Sequence, residues 1–221
     1  MKVLVSTPVG EARVTRFPAA GRRRALVILG HGAGGGVEAA DLQALAGALP
    51  ARGVEVLLVE QPWRVAGKRI APAPKTLDIA WRAVLEHVND DDDPRVPLIV
   101  GGRSAGARVA CRTGSDTGAC GVIALAFPLH PPGKPEKSRA GELSATGLPT
   151  LIVQGGRDPF GAPAQFPALP ATHRLVGLPA GNHEFAVRRS EPPVLATIVD
   201  IVAGWVGDLV GTPGAPHDDA S

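Results

Sequence analysis

The sequence predicts an α/β fold with a mostly parallel sheet of about eight strands and helices on both faces. Apolar runs of strand length alternate with longer amphipathic stretches almost from end to end. The run ALVILG at 25–30 is continuously apolar, as a strand buried on both faces would be. A chain of 221 residues usually forms one domain around one sizeable core.

Eight segments carry the strand pattern. The first two are joined around Gly10 and predict an opening hairpin, and the six later runs predict the parallel part of the sheet. The predicted strands are 2–7, 12–18, 25–30, 54–59, 97–101, 122–126, 150–154 and 174–178.

Four segments place apolar residues three and four positions apart, which is the spacing of an amphipathic helix. They are 38–51, 77–88, 105–111 and 193–210. The last segment has Asp200 and Asp208 on its polar side and Ile198, Val202 and Trp205 on its apolar stripe, so we expect it to pack on the sheet.

The remaining segments predict loops and a tail. Residues 60–75 and 128–148 are rich in Pro and Gly, and loops of this length are often functional. Residues 212–221 show no apolar periodicity, so we expect a single domain over 1–211 and a frayed tail over 212–221. No large insertion that would form a lid is evident.

Composition excludes several function classes. The 23 basic and 21 acidic residues give a net charge of +2, which is too even a balance for a nucleic-acid footprint. No stretch supplies the roughly 18 apolar residues of a membrane span, and the start lacks a signal-peptide core. Cys111 and Cys120 lack metal-ligand spacing and are interpreted as free thiols. We therefore expect a cytoplasmic protein with no nucleic-acid or membrane partner; the oligomeric state is left open.

The first chemical motif is G-x-S-x-G at 102–106. It follows the apolar run 97–101 and leads into a helical stretch, so it falls at a strand-to-helix junction near the middle of the chain. In a nucleophile elbow the serine adopts a strained turn conformation, and flanking glycines let the strand and helix approach without Cβ clashes. This context predicts that Ser104 is a nucleophile.

The second motif is the glycine-rich loop GHGAGGG at 30–36, which follows a predicted strand. Such a loop exposes backbone N–H groups that can stabilise a developing oxyanion together with the N–H after the nucleophile. The predicted donors are therefore Ala105 and either Ala33 or Gly34.

A dinucleotide-binding loop is the rival interpretation of the same segment. Gly30, Gly32 and Gly35 match G-x-G-x-x-G, and Glu60 ends the next predicted strand, where an acid could bind a ribose. This interpretation leaves Ser104 unexplained. A P-loop fits the segment less well still, because no Lys-Ser/Thr follows the glycines.

A carboxylate and an imidazole complete the pattern. Asp158 follows the strand 150–154, and His183 follows the strand 174–178, so the chain order is Ser, Asp, His. In this arrangement the imidazole takes the serine proton, and the carboxylate fixes its tautomer. Taken singly, Asp158 also fits a turn cap before Pro159, and His183 also fits a solvated surface residue.

Five segments resemble a known family, the small lidless α/β-hydrolases related to dienelactone hydrolases, and more closely its testis-expressed and acetyltransferase-complex subunit-like group. They are HGAGG at 31–35, GGRSAGARVA at 101–110, FPLHPPGKPEK at 127–137, QGGRDPFG at 154–161 and GNHEF at 181–185. The resemblance implies an α/β-hydrolase fold, a Ser104–Asp158–His183 triad and a cytosolic bacterial-type enzyme. One departure is the serine at position 104, where dienelactone hydrolases have cysteine.

The resulting hypothesis is a serine hydrolase that cleaves a small ester, thioester or amide through an acyl-Ser104 intermediate. It needs no metal and no organic cofactor, and its partner is a small-molecule acyl substrate. The alternative is a non-catalytic interaction or scaffold domain that retains the fold.

Substrate-pocket residues are predicted from their place near the same edge of the sheet. The candidates are His31, Arg64, Arg103, His130, Lys134 and Phe160. Together with Lys68 and Arg69, the basic members of this set would favour an anionic acyl or carboxylate substrate, although solvated surface cations are the simpler interpretation.

Overall fold

The computed structural model describes residues 1–90 and 93–211, so the predicted tail at 212–221 lies outside the described residues. One eight-stranded sheet forms the centre, in the order β1-β2-β4-β3-β5-β6-β7-β8. The strands are β1 (Lys2–Thr7), β2 (Gly10–Phe17), β3 (Ala25–Gly30), β4 (Val54–Glu60), β5 (Leu98–Arg103), β6 (Gly121–Leu125), β7 (Thr150–Gly155) and β8 (His173–Leu178).

Six α-helices lie within the described residues. They are α1 (Ala40–Ala48), α2 (Pro62–Val65), α3 (Pro74–Asp90), α4 (Ala105–Thr113), α5 (Ala140–Ser144) and α6 (Leu195–Val210). The predicted fold class is confirmed: β3 to β8 pair in parallel, while β1 and β2 form the antiparallel opening hairpin. Residues 1–90 and 93–211 contain no large insertion that covers the sheet as a lid, and no helix among them is both long and apolar enough to cross a membrane.

Strand β3 explains why helices cover both faces. Its residues are all buried, and their side chains alternate between two apolar clusters. Leu26 and Ile28 pack with Trp81 of α3 on one face, whereas Val27 and Leu29 belong to the cluster of α1 and α6 on the other face. A continuously apolar strand therefore fits between two helical layers.

The strand order positions the site. Strand β3 lies between β4 and β5, the two strands that follow it in the chain, so the strand order reverses at β3. Ligands of open α/β sheets bind at the carboxyl edge beside such a reversal. The loops after β3, β5, β6, β7 and β8 all leave this edge because these strands are parallel.

Two predicted loops contain short helices. Helix α2 lies inside the predicted loop 60–75, and helix α5 lies inside 128–148. Each helix is five residues or shorter, which is too short to show an amphipathic period in the sequence. The predicted helix 38–51 is also shorter than expected, because it ends at Ala48 and a 3-10 turn follows over Pro50–Arg52.

Candidate active site

Ser104 occupies a sharp turn between β5 and α4. Its φ of 52° and ψ of −112° lie where L-residues are rarely found. The turn is held by the Ser104 N–H, which donates to the carbonyl of Leu125 at 2.9 Å. The strained conformation turns the side chain out of the strand and into a cavity at the carboxyl edge.

The glycines flanking Ser104 are required by close backbone contact. A Cβ on Gly102 or on Gly106 would lie 2.4 Å from the carbonyl oxygen of Gly30. Gly30 and Gly102 are partners in the β3–β5 register, and Gly106 lies in the first turn of α4. The end of β3, the turn and the start of α4 therefore touch through their backbones.

Replacing Gly106 with alanine is expected to lower the free energy of unfolding by about 3 kcal/mol, because the new methyl group forces the backbones of α4 and β3 apart. The measurement is urea unfolding followed by circular dichroism. Gly204→Ala is the matched control, since Gly204 lies in α6 and a Cβ there has no atom within 4 Å; it should raise stability by about 0.5–1 kcal/mol. Equal effects of the two variants would contradict the close contact.

Three side chains from separate loops form one hydrogen-bonded chain. His183 Nε2 lies 2.8 Å from Ser104 Oγ, and His183 Nδ1 lies 2.8 Å from Asp158 Oδ2. These contacts fit an imidazole that carries its proton on Nδ1, donates to the carboxylate and accepts from the serine hydroxyl. The structure thus brings together the three residues that the sequence predicts as a triad.

The carboxylate of Asp158 is buried and fully engaged. Its Oδ1 accepts the Phe160 N–H at 2.8 Å, and its Oδ2 accepts the side-chain amide of Gln154 at 2.9 Å. Gln154, itself buried, also donates to the carbonyl of Gly161 at 2.7 Å. These donors hold the carboxyl group in place and fix its position toward the imidazole.

The loop that carries Asp158 packs directly on the loop that carries His183. A Cβ on Gly155 would lie 2.7 Å from the carbonyl oxygens of Gly181 and Asn182. The Arg157 N–H donates to the carbonyl of Gly181 at 3.0 Å. The aromatic ring of Phe160 lies over the imidazole, with 4.2 Å between the ring centroids.

Arg103 supports the His183 loop from below. Its Nη2 donates to the carbonyl of His183 at 2.8 Å, and its Nε donates to Asp41 Oδ2 at 3.1 Å. Both side chains of this ion pair are buried. Burial raises the pKa of Asp41, and the opposing charge of Arg103 counteracts that rise.

The predicted oxyanion donors lie beside the nucleophile. Ala33, Gly34 and Ala105 line the same cavity as Ser104. A Cβ on Gly32 would lie 3.4 Å from the Cβ of Ser104, which places the glycine-rich loop against the turn. Among residues 1–90 and 93–211, no acceptor engages the N–H groups of Ala33, Gly34 or Ala105, so these groups are available for a ligand.

The cavity has a volume of about 810 Å³ and two kinds of wall. Elements of the α1 and α6 layer contribute mainly apolar side chains, which include Phe185, Val187, Val194 and Leu195. On the other face of the sheet, α4 brings Arg108 to the cavity, and Arg139 reaches it from the position just before α5. Ser104 therefore lies where an apolar wall and a cationic wall meet.

Two of the six predicted pocket residues, Arg103 and Phe160, line this cavity. His31 and Arg64 do not line this cavity. His31 points into the core, where its Nε2 accepts the Gln61 N–H at 3.1 Å and its ring packs on Trp63. Burial lowers the pKa of His31, consistent with a neutral imidazole. The Arg64 guanidinium instead pairs with Glu38 at 3.3 Å.

His130 and Lys134 do not line the cavity either. His130 is buried beneath the Asp158 loop, where its N–H donates to the carbonyl of Phe160 and its Nδ1 lies 3.0 Å from the carbonyl of Pro131. Lys134 is exposed before a 3-10 turn at Pro135–Lys137. The loop turns these side chains away from the cavity.

Several residues around the site are not predicted by the sequence. Arg108 had a usable signal, because it follows Ser104 by four positions and so lies one helical turn further along the same face. The sequence carries no such signal for Asp41 or Arg139, since their approach to the site depends on tertiary packing. Glu60, the ribose-binding candidate of the rival interpretation, pairs with Arg13 on the adjacent strand at 2.6 Å.

Solved structures share this fold. A serine hydrolase without a lid from Xanthomonas campestris has a TM-score of 0.70 at 19% identity, covering 98% of this chain and 96% of that one. A serine hydrolase homologue from Coxiella burnetii has a TM-score of 0.71 at 19% identity, covering 95% and 97%. A dienelactone hydrolase from Anabaena variabilis has a TM-score of 0.71 at 20% identity, covering 94% and 96%. The narrower resemblance to the testis-expressed group stays a prediction.

The family described as the alpha/beta hydrolase domain matches residues 23–206. This match starts just before β3 and ends within α6, so it includes the strained turn and the three residues of the hydrogen-bonded chain. The protein therefore belongs to the alpha/beta hydrolase domain family.

Proposed function

We propose that this protein is a serine hydrolase that cleaves a carboxylic ester or thioester through an acyl-Ser104 intermediate. The observation that carries the proposal is the hydrogen-bonded chain from Ser104 through His183 to the buried Asp158, open at its serine end to a cavity. Membership of the hydrolase family supports the same conclusion.

In the first half-reaction, Ser104 Oγ attacks the substrate carbonyl while His183 Nε2 takes the hydroxyl proton. The new Oγ–C bond makes a tetrahedral intermediate whose oxyanion accepts hydrogen bonds from the Ala105 N–H and from Ala33 or Gly34. His183 then returns the proton to the leaving alcohol or thiol as its bond to carbon breaks. Asp158 keeps the imidazole in the required tautomer and stabilises its transient positive charge.

In the second half-reaction, water attacks the acyl carbon and His183 acts as base again. The tetrahedral intermediate collapses, the carboxylic acid leaves and Ser104 regains its proton. The strained Ser104 backbone keeps the hydroxyl in place through both halves.

A fluorophosphonate probe tests the proposal, because it forms an Oγ–P bond only with an activated serine as fluoride leaves. We expect labelling of the native protein and none of Ser104→Ala. Ser115→Ala is the matched control, since Ser115 is exposed beyond α4, and it should label normally. Absence of labelling in the native protein, or equal labelling of Ser104→Ala, would favour a scaffold domain that retains the fold without the chemistry.

A further inference from the structure

A charge cluster lies beside the cavity, where α3, α4 and α5 meet. Three guanidinium groups face two carboxylates, so the formal charge of the cluster is +1. Arg112 pairs with Asp78 at 2.6 Å and with Glu142 at 3.2 Å. Arg108 pairs with Glu142 at 2.5 Å, and Arg139 is the third cation. The two carboxylates are therefore already engaged by the first two arginines.

Arg139 lacks a carboxylate partner among the described residues. Its Nη1 donates to the carbonyl of Pro128 at 2.9 Å, which uses one of the five N–H donors of the guanidinium. Burial and the nearby charge of Arg108 lower the pKa of Arg139, and the charge of Glu142 only partly counteracts them; an arginine nevertheless remains protonated at neutral pH. A half-buried cation beside another cation is electrostatically unfavourable, so a bound anion would stabilise it.

The position of Arg139 connects this charge with the proposed chemistry. Arg139 and Arg108 line the same cavity as Ser104. The other acids in the lining do not neutralise them, because Asp41 pairs with Arg103 and Glu38 pairs with Arg64. The third acid, Glu184, is exposed next to His183.

We propose that Arg139, supported by the charge of Arg108, binds a carboxylate of the substrate, so that the enzyme acts on esters whose acyl or alcohol part carries an ionised carboxyl group. This inference rests on the proposed function, because it names the substrate class of the same site. A guanidinium suits the role, since its planar fork matches a carboxylate. The apolar wall of Phe185, Val187, Val194 and Leu195 would hold the hydrocarbon part of such a substrate.

Matched pairs of esters test the proposal. On the acyl side, the mono-4-nitrophenyl esters of adipate, suberate and sebacate each keep one free carboxylate. They are compared with the mixed diesters in which that carboxyl group is methylated and the 4-nitrophenyl ester is kept. On the alcohol side, 4-butanoyloxybenzoate is compared with its methyl ester. The native enzyme should prefer the charged member of at least one pair by about tenfold in kcat/KM, which is what one charge-assisted hydrogen bond contributes. No preference in any pair would overturn the proposal.

Three variants locate the effect. Arg139→Gln should lower kcat/KM for the preferred charged ester by about tenfold and change the neutral member by less than twofold. Arg139→Lys keeps the charge and should retain part of the preference. Lys137→Gln removes an exposed cation from the same loop and should change neither substrate. An equal loss on both members in Arg139→Gln would indicate a structural role and overturn the proposal.

A binding measurement separates this inference from the proposed function. Monomethyl suberate is titrated calorimetrically into Ser104→Ala with and without Arg139→Gln, and the second change should weaken binding about tenfold. That result supports the anion site even if no ester is cleaved and the fluorophosphonate does not label the protein. Those two negative outcomes would count against the proposed function alone. Suppose instead that the native protein is labelled and hydrolyses neutral esters, but Arg139→Gln alters neither the charge preference nor the binding of monomethyl suberate. This result would overturn only the anion site.

Discussion

Ser104→Ala is expected to lower kcat for 4-nitrophenyl butyrate by about five to six orders of magnitude, the scale found when a triad nucleophile is removed. The methyl side chain has no lone pair for attack, so the acyl intermediate cannot form. His183 and the backbone donors of the glycine-rich loop stay in place, and the residual rate is that of direct attack by water. Release of 4-nitrophenolate measures both rates.

Two controls accompany this variant. Ser115→Ala should keep native activity because Ser115 is exposed and does not line the cavity. Far-ultraviolet circular dichroism should be the same for both variants. Activity of Ser104→Ala within tenfold of native would assign the attack to another group and remove the acyl-serine intermediate from the mechanism.

Asp158→Asn is expected to lower kcat by about four orders of magnitude with the fold intact. The geometry explains why the amide fails. With its oxygen toward His183 and Gln154, its NH₂ group faces the Phe160 N–H, a donor against a donor. With its oxygen toward Phe160, the NH₂ group faces the imidazole and imposes the tautomer that cannot accept the serine proton.

Glu184→Gln is the matched control for this second variant. It removes an equal charge from the residue next to His183, but Glu184 is exposed and its side chain is not part of the hydrogen-bonded chain. Its kcat should stay within about twofold of native in the same ester assay. Near-native turnover of Asp158→Asn would show that another group orients the imidazole.

The sequence was sufficient for the sheet and for the placement of Ser104, Asp158 and His183. These residues lie in the connections that follow β5, β7 and β8, and parallel strands bring their carboxyl ends to one edge whatever the details of packing. The glycines at 102 and 106 carried a further signal, because the close contact with Gly30 excludes side chains at both positions. Local pattern and fold topology therefore determine this part of the site.

The residues that form the walls of the cavity could not be predicted from the sequence in the same way. His31 is in the glycine-rich loop, yet its side chain enters the core while neighbouring residues face the cavity. Arg139 reaches the cavity because the segment 128–148 folds back on itself, with the Arg139 N–H donating to the carbonyl of Leu129, and such a path has no periodicity in the sequence. Side-chain direction in irregular segments depends on contacts with residues distant in sequence.

The contact between the Gly30 carbonyl and the two glycines of the elbow has a consequence for how this enzyme can change. The nucleophile is located by main-chain atoms, whereas Arg139 and the apolar wall of Phe185, Val187, Val194 and Leu195 come from segments outside the elbow. Selection can therefore remodel the walls for new acyl groups without displacing the reactive hydroxyl. For enzyme engineering, libraries confined to the walls should alter substrate choice while the chemical step is preserved.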